Sequence, residues 1–245
     1  TWTVRTVPGS TSGDTDPSIG IATDGTIYLG YQNGDNHAHV AVSHDRGQTW
    51  SDTDAGALGG VQNAVFPEAI AGDPDRAAFG FLGTTTDGNY QDTANFKGVW
   101  YMWVATTYDG GAHWNIVNTD PDDPVQVGSI CTGGTTCGGD RNLLDFNDMA
   151  VDAEGRILVA YADGCVAPGC TKASTSSASR SALATVVRQC GGRRLFSFFD
   201  TPEPAAPLAP QLVSVTRDAS GVTVRWLAPC DGGSPITSYK IYRGP

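Results

Sequence analysis

No stretch of the 245-residue chain approaches the roughly 18 consecutive apolar residues that a membrane-spanning helix needs, so no membrane span is expected. Charge is scarce, at 17% of residues, and basic charge scarcer still, with 15 Lys and Arg against 26 Asp and Glu. The resulting net charge of −11 argues against nucleic acid as a partner and leaves carboxylates free for a hard cation such as calcium. No charged-then-apolar leader follows Thr1, so a signal peptide is expected to have been removed or to lie upstream. No cysteine pair has the C-x-x-C spacing of a zinc knuckle.

What the chain has in abundance is turn-forming residues. With 31 Gly and 14 Pro it favours many short strands over helices. Two of its close cysteine pairs, Cys131/Cys137 and Cys165/Cys170, fall in Gly- and Pro-rich loops and read as short-loop disulfides. That implies an oxidising compartment, hence a secreted or cell-surface protein. Cys190 and Cys230 either pair with each other or leave Cys230 for a partner outside the chain.

The stretch Ser43-His44-Asp45-Arg46-Gly47-Gln48-Thr49-Trp50 recurs as Thr107-Tyr108-Asp109-Gly110-Gly111-Ala112-His113-Trp114. In each, an Asp side chain is placed to accept hydrogen bonds from the N–H groups of its own turn. A Gly supplies positive φ, and a Trp covers the turn with apolar surface. The pattern reads as a tight hairpin between two strands.

Around these stretches the chain repeats itself. A hairpin over 18–31 turns at Asp24-Gly25, another over 68–81 turns at Pro74-Asp75, and a third over 148–161 turns at Gly155. Third strands are expected over 39–43, 99–107 and 182–189, and fourth strands over 49–52, 113–117 and 195–199. An alternating stretch over 3–7 looks like one further strand. Four antiparallel strands per unit describe a propeller blade, with a β-sandwich as the alternative. Three blades and one strand do not close a ring, so missing blades or a partner chain are expected to complete it. The fold class is therefore all-β: a partial β-propeller of about three four-stranded antiparallel blades over residues 1–200. A stiff Pro-rich linker follows over 201–207.

The motif Ser43, Asp45, Gly47, Trp50 with its second copy Asp109, Gly111, Trp114 resembles the Asp box, or BNR repeat, of sialidase-like β-propellers. In that family the Asp box is a structural turn on the side away from the active site. Residues 208–245, with strands over 211–216 and 222–226 and a third beginning at Tyr239, resemble the first part of a fibronectin type III module, Trp226 matching its core Trp. Such a module commonly acts as a spacer.

The long connections over 83–97, 118–147 and 163–181 emerge on one face, the face on which a blade's short turns do not lie. Long, stapled loops on a rigid scaffold are where binding usually resides. On that face Ser18, Glu68 and Asp148 occupy equivalent repeat positions where the innermost strands begin, with Asp16 close by. The run from Gly139 to Asp148 carries Asp140, Arg141, Asp145 and Asp148. Three readings stand for it. One is a carboxylate pair for acid/base work on a glycosidic bond, with Asp148, Glu68 and Arg141 as catalytic candidates. A second is a calcium site from Asp140, Asp145 and Asp148. The third is a loop whose acids cap turns while Leu143, Leu144 and Phe146 anchor it.

The sialidase resemblance implies three arginines on the substrate carboxylate, an Asp acid/base, and a Tyr nucleophile paired with a Glu. Here Arg141 and Arg180 lie on the candidate face, Arg5-Thr6-Val7-Pro8 matches the family's R-I-P motif only loosely, and Tyr90, Tyr31 and Tyr161 are the tyrosine candidates. Tyr90, Asp163 and Trp103 are candidate substrate-binding residues, Trp103 as an aromatic platform for a sugar. In the cluster from Trp100 to Trp103, packing against neighbouring blades is the competing role. His37 and His39, two apart at a strand start, present a metal-binding pair or ordinary strand alternation. The Ser-rich loop over 174–181 carries no nucleophile signature. The expected function is a sialidase-like protein acting on or recognising glycans or glycoproteins, as a glycoside hydrolase. The alternative is a non-catalytic extracellular adhesion, scaffold or assembly protein.

Overall fold

The computed structural model describes residues 1–140, 143, 147–166, 168–176, 182–200, 207, 209–219, 221–227, 229–230 and 236–242. The chain is all-β, built from antiparallel sheets, none of which closes on itself. The first sheet orders β1 (Ser18–Ile21), β2 (Ile27–Gln32), β3 (Ala38–Ser43) and β4 (Ser51–Asp54) side by side. A short helix α1 (Ala55–Leu58) leads to the second sheet, β5 (Asn63–Ala71), β6 (Ala77–Thr84), β7 (Val99–Thr107) and β8 (Asn115–Asn118), with β9 (Gln126–Val127) on the outer end of β7. The third sheet holds β10 (Asp148–Val151), β11 (Ile157–Asp163) and β12 (Leu183–Arg188). A separate pair, β13 (Gln211–Asp218) and β14 (Gly221–Leu227), completes the described strands. Among the described residues no helix is long and apolar enough to cross a membrane.

The sheets pack face to face through apolar side chains. Phe79, Phe81, Val40 and Val61 fill the space between the first and second sheets. Trp100, Met102, Leu82, Met149, Val159 and Leu195 fill that between the second and third. Close approach dictates two glycines. A Cβ at Gly30 would lie 2.4 Å from the Phe79 ring, and one at Gly80 would lie 2.9 Å from Met149 Sδ. In the same register Ser18 pairs with Gly30, Glu68 with Gly80 and Asp148 with Ala160. The repeat positions assigned from the sequence are thus structurally equivalent.

Both eight-residue motifs form hairpin turns held by their own side chains. Asp45 accepts from Gln48 N, Thr49 N and Thr49 Oγ1 at 2.7–2.9 Å, and Gly47 N donates to Ser43 Oγ at 2.7 Å. Gly47 has φ +81°, and Trp50 Nε1 donates to its carbonyl. In the second turn Gly111 N donates to Thr107 Oγ1 and His113 N to Asp109 Oδ1, both at 2.9 Å. Trp114 reaches back to the first sheet, edge-on to Tyr28. Because these turns already fix Thr49, Trp50 and His113, both fourth strands begin two residues later than expected, at Ser51 and Asn115.

Three strand expectations fail. Residues 3–7 form no strand, since no neighbouring strand edge pairs with them, and Trp2 and Val4 are exposed. Residues 195–199 form no fourth strand in the third sheet. Leu195 is fully buried in the core, Asp73 captures Ser197 through its N–H and hydroxyl, and Ser197–Phe199 turns as a 3-10 helix. Residues 236–242 are irregular. Tyr239 meets Trp226 edge to face at 5.3 Å between ring centroids without joining the β13–β14 ladder. All six cysteines are paired: Cys131–Cys137, Cys165–Cys170 and Cys190–Cys230. The last settles the pairing the sequence left open.

Candidate functional site

At the loop end of the sheets lies a small cavity of about 160 Å³ lined by Asp14, Thr15, Asp16, Pro17, Phe66, Pro67, Glu68 and Thr132. Its floor owes its shape to an irregularity in β5. The ladder to β6 shifts between Val65 and Glu68, and Phe66 adopts φ +56°, a left-handed conformation that costs a bulky residue about 1–3 kcal/mol. The shift turns Glu68 towards the start of β1, where Ser18 Oγ donates to Glu68 Oε2 at 2.8 Å. Burial raises the Glu68 carboxyl above its ordinary value. The Ser18 hydrogen bond opposes this, and the negative charge of Asp148 on the neighbouring β10 adds to it. A half-buried carboxyl beside another acid is suited to holding a proton and donating it.

The opposite wall is a strap over residues 11–16, fastened by buried side chains of β2 and its following loop. Thr11 N and Oγ1 donate to Asn33 Oδ1 at 2.8 and 2.9 Å, and Asp14 N donates to Gln32 Oε1 at 2.7 Å. Tyr90, from the connection after β6, donates its hydroxyl to Asp14 Oδ2 at 2.9 Å, and Gln91 Nε2 donates to the same oxygen at 3.0 Å. The Cys131–Cys137 disulfide staples the loop that brings Thr132 to the rim.

Of the residues singled out from sequence, Glu68 and Asp16 line the cavity, Ser18 joins through its hydrogen bond to Glu68, and Tyr90 enters through Asp14. Asp148 lies outside the lining and acts through its charge on Glu68. Tyr90 is fully buried, and its hydroxyl is pushed up to about 12, chiefly by desolvation. Burial also pushes Tyr31 and Tyr161 up. None of the three is poised as a phenolate. Trp103 sits away from the cavity, its indole N–H on the Gly83 carbonyl and its ring against α1's end at Gly59. Trp100 is wholly buried, bonded to the Gly128 carbonyl. Asp163 closes β11 and accepts from Cys165 N, its carboxyl raised by burial, and it does not line the cavity.

Arg141, Asp145, Leu144, Phe146 and Arg180 lie outside the described residues, as does the side chain of Asp140. Among the described residues no group of three His, Cys, Asp or Glu side chains is arranged to hold a metal. His37 and His39 pair with carboxylates instead, Nδ1 of each on Asp54 and Asp52. Sequence reasoning missed Asp14, Thr132, Gln32 and Gln91, which belong to no repeat or motif.

No family model and no curated protein matches the chain.

Proposed function

We propose that the chain is a secreted, sialidase-like propeller that recognises neutral glycans at the cavity beside Glu68 and acts on them as a glycoside hydrolase. Glu68 would serve as proton donor, and Asp148 on the neighbouring β10 as the second carboxyl of the pair. The observation that carries this reading is the raised Glu68 carboxyl: a half-buried acid, held by Ser18 and crowded by Asp148, in a cavity with room for a single sugar ring. The two hairpin turns anchored by Asp45 and Asp109 support the sialidase-like resemblance, as do the repeated sheets. Three disulfides support an extracellular setting.

The preference for neutral sugars follows from charge. The described residues lining the cavity include Asp14, Asp16 and Glu68 and no Arg or Lys. An anionic sugar entering there would meet like charge without a bidentate guanidinium to offset it. This cavity therefore suits a hexose or N-acetylhexosamine better than a sialic acid.

The test is turnover of a fluorogenic glycoside panel, neutral and sialylated, with and without calcium, by the wild type, Glu68→Gln and Asp148→Asn. Turnover of a neutral glycoside, lost in Glu68→Gln, is the expected outcome. Turnover confined to sialosides, or unchanged in both variants, would remove this cavity from the chemistry. The non-catalytic reading is favoured by one observation, the absence of a poised tyrosine nucleophile among Tyr31, Tyr90 and Tyr161. Binding of a neutral glycan without turnover would support it.

A further inference from the structure

We infer that His39 is a positioning residue for this cavity: clamped between Asp52 and Asp35, its ring fixes the loop that fastens the strap carrying Asp14 and Asp16. The inference rests on reading the cavity as the functional site.

The connection is continuous. Tyr31 donates its hydroxyl to Asp52 Oδ1 at 2.9 Å, and Asp52 Oδ2 lies 2.8 Å from His39 Nδ1. On its other side, His39 Nε2 lies 3.2 Å from Asp35 Oδ2, which also accepts from Asn33 Nδ2 at 3.2 Å. Asn33 uses its Oδ1 to hold Thr11, and Gly34 N donates back to Thr11 Oγ1 at 3.0 Å. The strap then passes so close over β2 that a Cβ on Gly13 would lie 2.2 Å from the Gln32 carbonyl oxygen. The ring is nearly buried, with its side chain 11% exposed, while its two carboxylate partners reach solvent, Asp52 at 30% and Asp35 at 47%.

With both nitrogens on carboxylates, the ring makes both contacts as donors only when protonated. The groups facing it are Asp35 from the β2–β3 loop, Asp52 and Asp54 from β4, and Tyr31 from β2, with His37 nearby on Asp54. Desolvation opposes the charged ring, but these acids outweigh it and raise the His39 pKa above its ordinary value. A raised folded value means the contact is fully present below the unfolded pKa and is lost as pH rises through the folded one. The strap is therefore held in mildly acidic medium and loosened in alkaline medium.

The test reads the ligand-free protein, so it fails or succeeds independently of any glycan chemistry. Amide hydrogen exchange of Thr11 and Asp14 is measured as protection factors from about pH 5.5 to about pH 9, with the Gln48 and Thr49 amides of the Asp45 turn as internal reference. The expected result is a fall in strap protection across the His39 titration, roughly tenfold for each unit by which folding raises its pKa. His39→Gln should make strap protection low and flat with pH. His37→Gln, which removes the neighbouring Asp54 contact but not this one, should leave the wild-type profile. If His39→Gln fails to fold, the wild-type curve must still share its midpoint with the His39 ring signal in NMR. A pH-independent wild-type strap, an unchanged profile in His39→Gln, or an equal loss in His37→Gln would overturn the inference.

Discussion

The two ends of the sheets solve the same problem differently. At the turn end, each hairpin satisfies its polar groups from within a few residues: Asp45 holds Gln48 and Thr49, Asp109 holds His113, and Asp152 holds Glu154 and Arg156. At the loop end, the bonds that shape the cavity join residues far apart in sequence. Ser18 meets Glu68, Tyr90 meets Asp14, and Gln32 supports Asp14 and Tyr90 together. Local bonds make a rigid frame that each repeat can build alone. Distant bonds make a site that exists only when three sheets are assembled, and whose ionisable groups are shifted by that assembly.

The contrast should be visible first in stability. Trp100 lies under the loop end, fully buried, edge-on to Tyr90 and bonded to Gly128. Trp100→Ala should cost about 3–5 kcal/mol in chemical denaturation, among the largest effects of any single change. Trp50→Ala, on a half-exposed turn, should cost distinctly less. Equal losses would erase the distinction between the ends.

A smaller effect is expected where the sheets touch. Gly30→Ala pushes a methyl into the Phe79 ring, an overpacking that should cost about 1–3 kcal/mol. No loss would mean that the first two sheets are less closely seated than described.

Smaller again, and opposite in sign at the two ends, are the pH effects. Hydrogen bonds from Thr49, backbone first, hold the Asp45 carboxyl down to about 2. Its contribution is present above the ordinary carboxylate pKa and is lost as pH falls through the folded value, so stability should rise with pH across that interval. Asp45→Asn should flatten this part of the acid limb. Glu68, raised by burial, behaves in reverse: the folded state holds its proton longer, so stability should fall as pH climbs from the ordinary glutamate value through the raised one. Glu68→Gln should therefore gain on wild type above that interval and match it below. Parallel pH slopes in the two variants would contradict the account.

How much of this was legible in the sequence divides along the same line. The turns around Asp45 and Asp109 were readable because their bonds span at most a few residues and demand a particular order of Asp, Gly and Trp. The equivalence of Ser18, Glu68 and Asp148 was readable because the hairpins repeat, and register carries position with it. Asp14 and Tyr90 could not be joined from sequence, since nothing periodic links positions 76 residues apart. The β5 irregularity at Phe66, which turns Glu68 to Ser18, left no sequence signal beyond the Pro that follows it. The apolar run Leu195, Phe196, Phe198, Phe199 was misread as a strand because its fate is set by Asp73 and Arg76, more than a hundred residues earlier, which hold Ser197, Arg194 and Asp200.

The central claim is that assembly of the loop end makes Glu68 a proton-holding acid, and it is tested most directly by following the Glu68 side-chain carboxyl in a carbon-13 NMR titration of wild type and Asp148→Asn. The account expects a midpoint above the ordinary glutamate value in the wild type, moving down when the Asp148 charge is removed. A midpoint at or below the ordinary value, indifferent to Asp148, would contradict it.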